Sequence, residues 1–121
     1  MLANLYKRWL LELWNGDFDL ASELVTDDFV GHWPGMDIHG PDGLIGALKQ
    51  GHAPFDHVTV TLDVGPIVNG DLVAARWTFA GTHSGKRVAF TGHDILRAEG
   101  NRFAEYWVIS DTEGLAKQLN E

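Results

Sequence analysis

The first part of the chain has apolar side chains at helical spacing. Leu2, Leu5, Trp9 and Leu13 recur every three or four residues, which places them along one face of a helix. The stripe ends at the turn signal Asn15-Gly16-Asp17. The pattern therefore predicts an amphipathic helix that buries this face against the rest of the domain.

Two short elements are predicted next. Asp19 is placed to cap a second helix that runs to about Val25. The residues from Phe29 to Trp33 then predict a brief strand, which Pro34 stops because proline cannot donate to a sheet ladder. A loop is expected from there to residue 39.

Two more helices have recognisable starts. The sequence Gly40-Pro41-Asp42 predicts one of them, because proline is favoured at the first helical position and an acidic side chain is favoured in the first turn. We expect this helix to run to about Gly51. Near the end of the chain, Ser110 and Glu113 have the spacing of a capping box, which predicts a last short helix.

From Phe55 the apolar spacing changes from helical to alternating, the pattern of strands with one buried face. Turn signals at residues 69–71, 84–86 and 100–101 separate four successive strands. Helices followed by such a meander imply an α+β domain, in which a curved antiparallel sheet carries the N-terminal helices on its concave face.

Composition narrows the range of functions. The chain of 121 residues is expected to form a single domain over residues 1–121. It has nine Lys and Arg against seventeen Asp and Glu, a net charge of −8, which disfavours nucleic acid and anionic membranes as partners. The absence of cysteine excludes disulfides, thiolate metal sites and thiol nucleophiles. No signal peptide, membrane span or metal-binding motif is recognisable, so a cytoplasmic protein without metal or cofactor is expected.

Four segments together resemble the SnoaL-like polyketide cyclase family of the nuclear transport factor 2-like fold. They are ELWNGDFDLASELVTDDFVGHWPG (12–35), GPDGL (40–44), GTHSGKRVAFTGHDILR (81–97) and AEYWVISD (104–111). The resemblance runs nearly end to end and implies a cone-shaped α+β domain. It also implies a homodimer through the outer sheet face, for which Trp107 and Ile109 are the expected contacts.

The chain departs from the family pattern at the residue that matters most for chemistry. Relatives commonly read E-H-W-D-V-S-D in the last strand, and the central aspartate is the acid/base of the aldol cyclases. Val108 stands at that position here, and valine cannot transfer a proton. A second departure is His93, where relatives usually have an apolar residue.

Hairpin geometry links these two departures. If Gly100-Asn101 is a two-residue loop, antiparallel pairing places His93 opposite Val108 and Ile95 opposite Tyr106. His93 would then lie on the pocket face, where relatives place their acid. A three-residue loop at 84–86 would likewise place Trp77 opposite His93.

Each candidate has both a functional and a structural interpretation. His93 is either a general acid/base or a half-buried sheet histidine, and Asp94 is either a second catalytic carboxylate or the partner of Arg76 or Arg97 in an ion pair. Aromatic candidates are either pocket wall or ordinary core, and the sequence leaves open which of His32 and Trp33 faces inward. The expected catalytic residues are His93, Asp94 and Tyr106, and the expected substrate-binding residues are Trp77, His32, Trp33, Trp14 and Val108.

The sequence thus favours a cofactor-independent acid/base enzyme. By resemblance it would catalyse cyclisation, isomerisation or dehydration of a small apolar, oxygenated, polyketide-like molecule. The alternatives are a non-catalytic domain of the same fold that binds a small molecule or a partner, and a SnoaL-like epoxide hydrolase or hydroxylase.

Overall fold

The N-terminal apolar stripe forms one helical segment in the computed structural model, which describes residues 1–120. The α-helix α1 spans Leu2–Arg8 and continues as a π-helix over Trp9–Leu13. The N–H of Trp14 donates to the carbonyl oxygen of Trp9 at 3.2 Å. Residues five apart are rotated by about 140° in an α-helix. The wider π turn reduces this rotation, and the rings of Trp9 and Trp14 meet with centroids 6.2 Å apart.

Three further α-helices follow along the chain. A 3₁₀ turn at Phe18–Leu20 leads into the short α2, Ala21–Leu24; α3 spans Gly40–His52 and α4 spans Thr112–Leu119. The expected start of α3 is confirmed, but two predicted caps are wrong. Asp19 lies inside the 3₁₀ turn and caps neither helix, and α4 is capped by Asp111, whose carboxylate accepts from the N–H of Gly114 at 2.9 Å. None of the helices in residues 1–120 is long and apolar enough to span a membrane.

These helices pack against a single six-stranded sheet. Its strands are β1 (Val25–Trp33), β2 (Met36–His39), β3 (Asp56–Asn69), β4 (Leu72–His83), β5 (Lys86–Glu99) and β6 (Arg102–Ser110). Their order across the sheet is β2-β1-β6-β5-β4-β3. The predicted meander of four strands is confirmed. Two features differ from the prediction: β2 replaces an expected loop, and β1 runs parallel to β6, so the sheet is mixed.

The helices cover one face of the sheet, which we call the inner face. Its buried side chains alternate with exposed ones along β4 and β5, as period-two geometry requires. They pack against the buried residues of α1, the π-helix, α2 and α3 to form one core. The sheet contributes to this core Val25, Phe29, Val60, Val73, Ala75, Trp77, Phe79, Leu96, Ala98, Phe103, Tyr106 and Val108. The opposite, outer face has no helix-derived cluster within residues 1–120.

A β-bulge decides which side chains of β6 face inward. Glu99 pairs with Arg102 as the two-residue loop predicts, but Ala98 then pairs with Phe103 and Arg97 with Glu105. Ala104 is the extra residue, and both it and Phe103 are buried. An inserted residue reverses the facing of everything beyond it. The predicted pairing of His93 with Val108 is therefore wrong by one residue.

The preceding hairpin also differs from its prediction. His83 pairs with Lys86, so the loop has two residues rather than three. Ser84 and Gly85 both have positive φ, at 51° and 80°, the backbone twist that favours a tight two-residue turn. In the resulting register Trp77 lies opposite Gly92 instead of His93.

Candidate functional site

A buried carboxyl group lies at the centre of the inner face. Asp94, on β5, is 2% exposed and is the one charged side chain that is buried among residues 1–120. Its cross-strand neighbours are Ala75 on β4 and Val108 on β6. The phenol of Tyr6, on α1, donates to Oδ1 of Asp94 at 2.8 Å. The second carboxyl oxygen, Oδ2, has no hydrogen-bond partner in the protein.

Burial gives this carboxyl group an unusual affinity for its proton. Loss of water raises the pKa of Asp94 to about 7, from an ordinary value of 3.8. The hydrogen bond from Tyr6 opposes this rise, and so do the nearby indole N–H groups of Trp77 and Trp9. Neither indole N–H meets the distance and angle of a hydrogen bond to any acceptor. Because both protonation states are populated near neutral pH, Asp94 is suited to take up and return a proton.

Aromatic rings enclose the carboxyl group. The ring of Trp9 lies 4.9 Å from that of Tyr106. Trp14 stacks on Trp77 with centroids 6.5 Å apart, and Trp33 meets Tyr106 edge-on at 5.0 Å. These walls exclude water, which strengthens electrostatic interactions within the site.

Most of the predicted site residues meet here. The inner face and its helices bring together the following: Asp94, Tyr106, Trp77, Trp14, Trp33 and Val108. Tyr106 is fully buried, and burial, together with Asp94 and Tyr6, raises the pKa of its phenol, which therefore keeps its proton and remains a donor. Trp33, rather than His32, is the inward-facing member of its pair.

Three residues of the site were not predicted as functional. Tyr6 on α1 and Trp9 at the start of the π-helix are three residues apart, which places them on one helix face, and both face Asp94. This spacing is visible in the sequence, but the strand that they meet is not. His52 on α3 lies between the carbonyl oxygens of Leu48 and Trp14, at 2.8 and 2.7 Å, and so holds the Trp14 segment against α3.

Two glycines make room for the indoles. A Cβ on Gly92 would overlap the six-membered ring of Trp77, and a Cβ on Gly31 would lie 2.6 Å from Cζ3 of Trp33. Real Cβ atoms do not approach other atoms so closely. Each indole therefore lies flat over a strand at a position where only glycine fits.

His93 lies on the other side of the sheet. Its side chain is exposed on the outer face, with Arg76 on β4 and Ile109 on β6 as cross-strand neighbours. The predicted placement of His93 beside Tyr106 is wrong, because the bulge at Ala104 shifts the register. The acid/base role expected for His93 depended on that placement.

The predicted ion pair of Asp94 with an arginine is also wrong. Arg76 and Arg97 belong to the outer face, opposite to the direction of Asp94. Arg97 instead bonds to Glu99 at 2.8 Å and to Glu105 at 3.4 Å. Asp94 thus has no positive charge beside it to offset the loss of water, which raises its pKa.

His32 belongs to a polar network on the outer face. Its ring nitrogens lie 3.0 Å from Asp37 and 2.8 Å from Glu105, and its ring stacks on Trp107 at 5.7 Å. The hydrogen bonds to Glu105 and Asp37 raise the pKa of His32. A mainly apolar groove of about 430 Å³ adjoins this network. It is lined by His32, Trp33, Pro34, His93, Asp94, Ile95, Trp107, Val108 and Ile109.

No three His, Asp or Glu side chains within residues 1–120 come together as ligands for a metal ion. The inner site presents one carboxyl group, two phenols and the indole N–H groups that surround it.

Comparisons with known proteins agree with the fold. The family model of SnoaL-like polyketide cyclases matches residues 4–119. A structure from Bacillus cereus ATCC 10987, of a protein named polyketide cyclase, is 28% identical with a TM-score of 0.85, covering 96% of this chain and 78% of that one. A loop-truncation variant of IdmH is 29% identical with a TM-score of 0.85, covering 98% and 99% of the two chains. TsrD from Streptomyces laurentii is 26% identical with a TM-score of 0.85, covering 98% and 93%. Curated protein sequences include no significant match.

Proposed function

The chain belongs to the SnoaL-like polyketide cyclase family, and we propose that it is a cofactor-independent acid/base enzyme acting on a small, apolar, oxygenated molecule. The observation that carries the proposal is Asp94. A carboxyl group with one free oxygen is buried inside an aromatic enclosure, and its pKa of about 7 suits proton transfer at neutral pH. A purely structural carboxylate would be expected to have all its oxygens bonded.

The position of Asp94 also accounts for the valine in β6. The family resemblance places the catalytic acid of aldol cyclases at the position of Val108. Asp94 is the direct cross-strand partner of Val108, and both residues face inward. The neighbouring strand thus brings a carboxyl group to the same part of the inner face.

The proposed reaction begins at a carbon next to a carbonyl group. Ionised Asp94 accepts a proton from that carbon through Oδ2. The electron pair of the broken C–H bond forms a carbon–carbon double bond, and the carbonyl π pair moves to the oxygen, which gives an enolate. The phenol of Tyr106 has no partner in the protein and is available to donate to that oxygen. Return of the proton to another atom gives an isomerised product. Attack of the enolate carbon on a second carbonyl, whose oxygen then takes the proton from Asp94, gives a cyclised one.

The substrate class follows from the walls of the site. Indole and phenyl surfaces favour a flat, largely apolar molecule, and the acid/base chemistry requires carbonyl groups on it. Proteins named polyketide cyclase among the structural relatives support a polyketide-like substrate.

Hydrogen exchange on a simple probe tests this function. We expect the protein to accelerate exchange of the acidic C–H protons of ethyl benzoylacetate, an apolar β-ketoester, with deuterium oxide, as followed by NMR. The variant His93→Ala is the matched control on the opposite face of the strand and is expected to keep the full rate. Binding of the probe without faster exchange would favour the alternative, a non-catalytic binding domain.

We further propose that two copies associate through the outer sheet face. Ile109, Ile95 and Trp107 lie there on adjoining strands and are 71%, 46% and 38% exposed. Acidic and basic groups, among them Glu105 and Arg97, flank this apolar patch. A patch of this kind is typical of a protein contact surface.

A charge in the middle of the patch is expected to separate the copies. Ile109→Lys should convert a dimer to a monomer without unfolding it, because burying an unpaired ammonium group at an interface is costly. Sedimentation velocity measures the change. Ile67→Lys is the matched control, since Ile67 is 62% exposed on β3, and it should leave the mass unaltered. A wild-type protein that sediments as a monomer at high concentration contradicts the proposed dimer.

A further inference from the structure

The inner site contains more unpartnered donors than acceptors. Within residues 1–120, six buried side-chain polar atoms have no hydrogen-bond partner, and five of them belong to the aromatic enclosure. These five are Nε1 of Trp9, Trp14 and Trp77, the hydroxyl of Tyr106 and Oδ2 of Asp94. Each buried donor without an acceptor costs about 1–3 kcal/mol. Such groups are uncommon in folded proteins, so their concentration at one place needs an explanation.

These groups do not satisfy one another in the folded protein. An indole N–H donates and never accepts, so the three indoles cannot form hydrogen bonds with one another through their nitrogens. The acceptors in the set are Oδ2 of Asp94 and the hydroxyl oxygen of Tyr106, and no donor of the set forms a hydrogen bond to either. After Oδ2 takes up a proton, that group becomes a donor itself. A bound molecule that brings acceptor atoms would satisfy these donors.

Two of the indoles are placed next to the carboxyl group. Trp9 from the π-helix and Trp77 from β4 both direct their N–H groups towards Asp94 closely enough to influence its ionisation. Tyr106, on β6, has its ring 4.9 Å from that of Trp9. An atom bound beside Oδ2 would face these donors from more than one side.

The backbone is also adapted to this placement. The ring of Trp77 lies over Gly92, where any side chain would displace it. The π-helical turn brings Trp9 to the same region as Trp14. Irregular turns of this kind are frequent at functional sites. A glycine under the ring of Trp77 and a π-helical turn at Trp9 thus hold these two indoles beside one carboxyl group.

We infer that the indole N–H groups of Trp9 and Trp77, together with the phenol of Tyr106, form an oxyanion hole for the oxygen that becomes negative when Asp94 removes a proton. This inference rests on the proposed function and assigns to two tryptophans a role beyond packing. The site would take a ligand portion that carries oxygen acceptors and no donor, such as a ketone or β-ketoester. Fixed donors in a water-poor site stabilise a developing negative charge because they need no reorganisation during the reaction.

The proton and electron balance is complete without another reactant. Oδ2 gains the proton, the carbon–hydrogen electron pair forms a carbon–carbon double bond, and the carbonyl π pair becomes the negative charge on oxygen. The indoles remain protonated throughout and only strengthen their hydrogen bonds to that oxygen. Reprotonation of the carbon or of the oxygen returns Asp94 to its starting state.

Indole NMR resonances test the inference on the wild-type protein. After labelling of tryptophan with ¹⁵N, the five indole N–H signals are assigned by single Trp→Phe variants. Saturation with ethyl benzoylacetate is expected to move the signals of Trp9 and Trp77 downfield, as new hydrogen bonds to oxygen form. Trp107 on the outer face is the internal control and should not move.

Kinetics supply a second readout. Trp77→Phe keeps an aromatic ring and removes the N–H, so kcat for deuterium exchange is expected to fall about 100-fold while KM changes little. A purely structural role for the indole would raise KM or lower the melting temperature instead. Near-ultraviolet circular dichroism checks that the variant retains its packing.

The outcomes separate the two proposals. Exchange catalysed by the wild type, with unmoved Trp9 and Trp77 signals and full kcat in Trp77→Phe, would overturn the oxyanion hole and leave the acid/base function standing; water alone would then satisfy the donors. Downfield shifts without any catalysed exchange would support a site whose indoles donate to a carbonyl oxygen of the ligand, and would contradict the acid/base function.

Discussion

Replacing Asp94 by asparagine is expected to remove catalysis and at the same time to stabilise the folded protein at about pH 8. Asparagine has the shape of the protonated acid and can still accept from Tyr6, which now bonds to Oδ1. It cannot take up a proton, so we expect deuterium exchange to fall by at least about 100-fold. Few substitutions in a core of this kind raise stability while abolishing function.

The gain in stability follows from the direction of the pKa change. The folded state holds the proton of Asp94 up to about pH 7, whereas the unfolded chain releases it near 3.8. Between these values the folded state binds more protons, so the free energy of unfolding decreases as pH rises through this window. Above it, the buried charge destabilises the fold by about 4 kcal/mol. The neutral asparagine does not carry this penalty.

Denaturant unfolding across pH measures the effect. Wild-type stability should fall between about pH 4 and pH 7 relative to the variant, and the two curves should converge at acidic pH. Asp56→Asn, an exposed carboxyl group at the start of β3, is the control and should leave the pH dependence unchanged. Exchange activity in the wild type should rise with pH through about 7, since the ionised form is the base. An Asp94→Asn variant with undiminished exchange would disprove the catalytic assignment.

Gly92→Ala is expected to damage both the site and the fold through a single methyl group. The added Cβ would occupy the place of the Trp77 ring, which is 6% exposed and tightly packed between its neighbours. Overpacking of this kind typically costs about 1–3 kcal/mol. The displaced indole would also withdraw its N–H from Asp94, so we expect exchange activity to fall about as far as in Trp77→Phe.

A double variant separates the steric effect from other causes. Gly92→Ala combined with Trp77→Phe gives the methyl group room, so the second change should restore part of the stability lost in the first, a coupling visible in a double-mutant cycle. Gly46→Ala on α3 is the matched control: a Cβ added there would have nothing within 4 Å, and alanine should stabilise the helix by about 1 kcal/mol. Additive losses in the double variant would mean that Gly92 acts through the backbone alone.

Local patterns in the sequence were sufficient for most of the elements. The helical stripe from Leu2, the Pro41 helix start and the alternation from Phe55 each depend on neighbours close in the chain, and the structure confirms all three. The parallel pairing of β1 with β6 was not predictable in this way. It joins segments about 75 residues apart, and no local spacing records such a contact.

The candidate site divides in the same way: most of its residues were predicted from the sequence, but their arrangement was not. Asp94, Tyr106 and Trp77 were all predicted as site residues, but the prediction placed His93 among them and omitted Tyr6. One feature of the sequence did indicate which side chains of β5 face inward. In β5, Leu96 and Ala98 alternate with the charged Arg97 and Glu99, and this alternation places Asp94 on the apolar side. The adjacent apolar pair Phe103 and Ala104 breaks the alternation of β6 and marks the bulge.

The sequence by itself determined the family, the α+β order of elements and the set of residues able to perform acid/base chemistry. Only the tertiary structure decided which of them act together. Side chains in a strand alternate with a period of two, so one inserted residue, Ala104, exchanges the two faces of β6. That exchange puts Tyr106 and Val108 on the same face as Asp94 instead of that of His93. Asp94 lies there beneath Tyr6 and the indoles, where the loss of water raises its pKa. The affinity for the proton thus depends on burial, which the chain acquires only on folding.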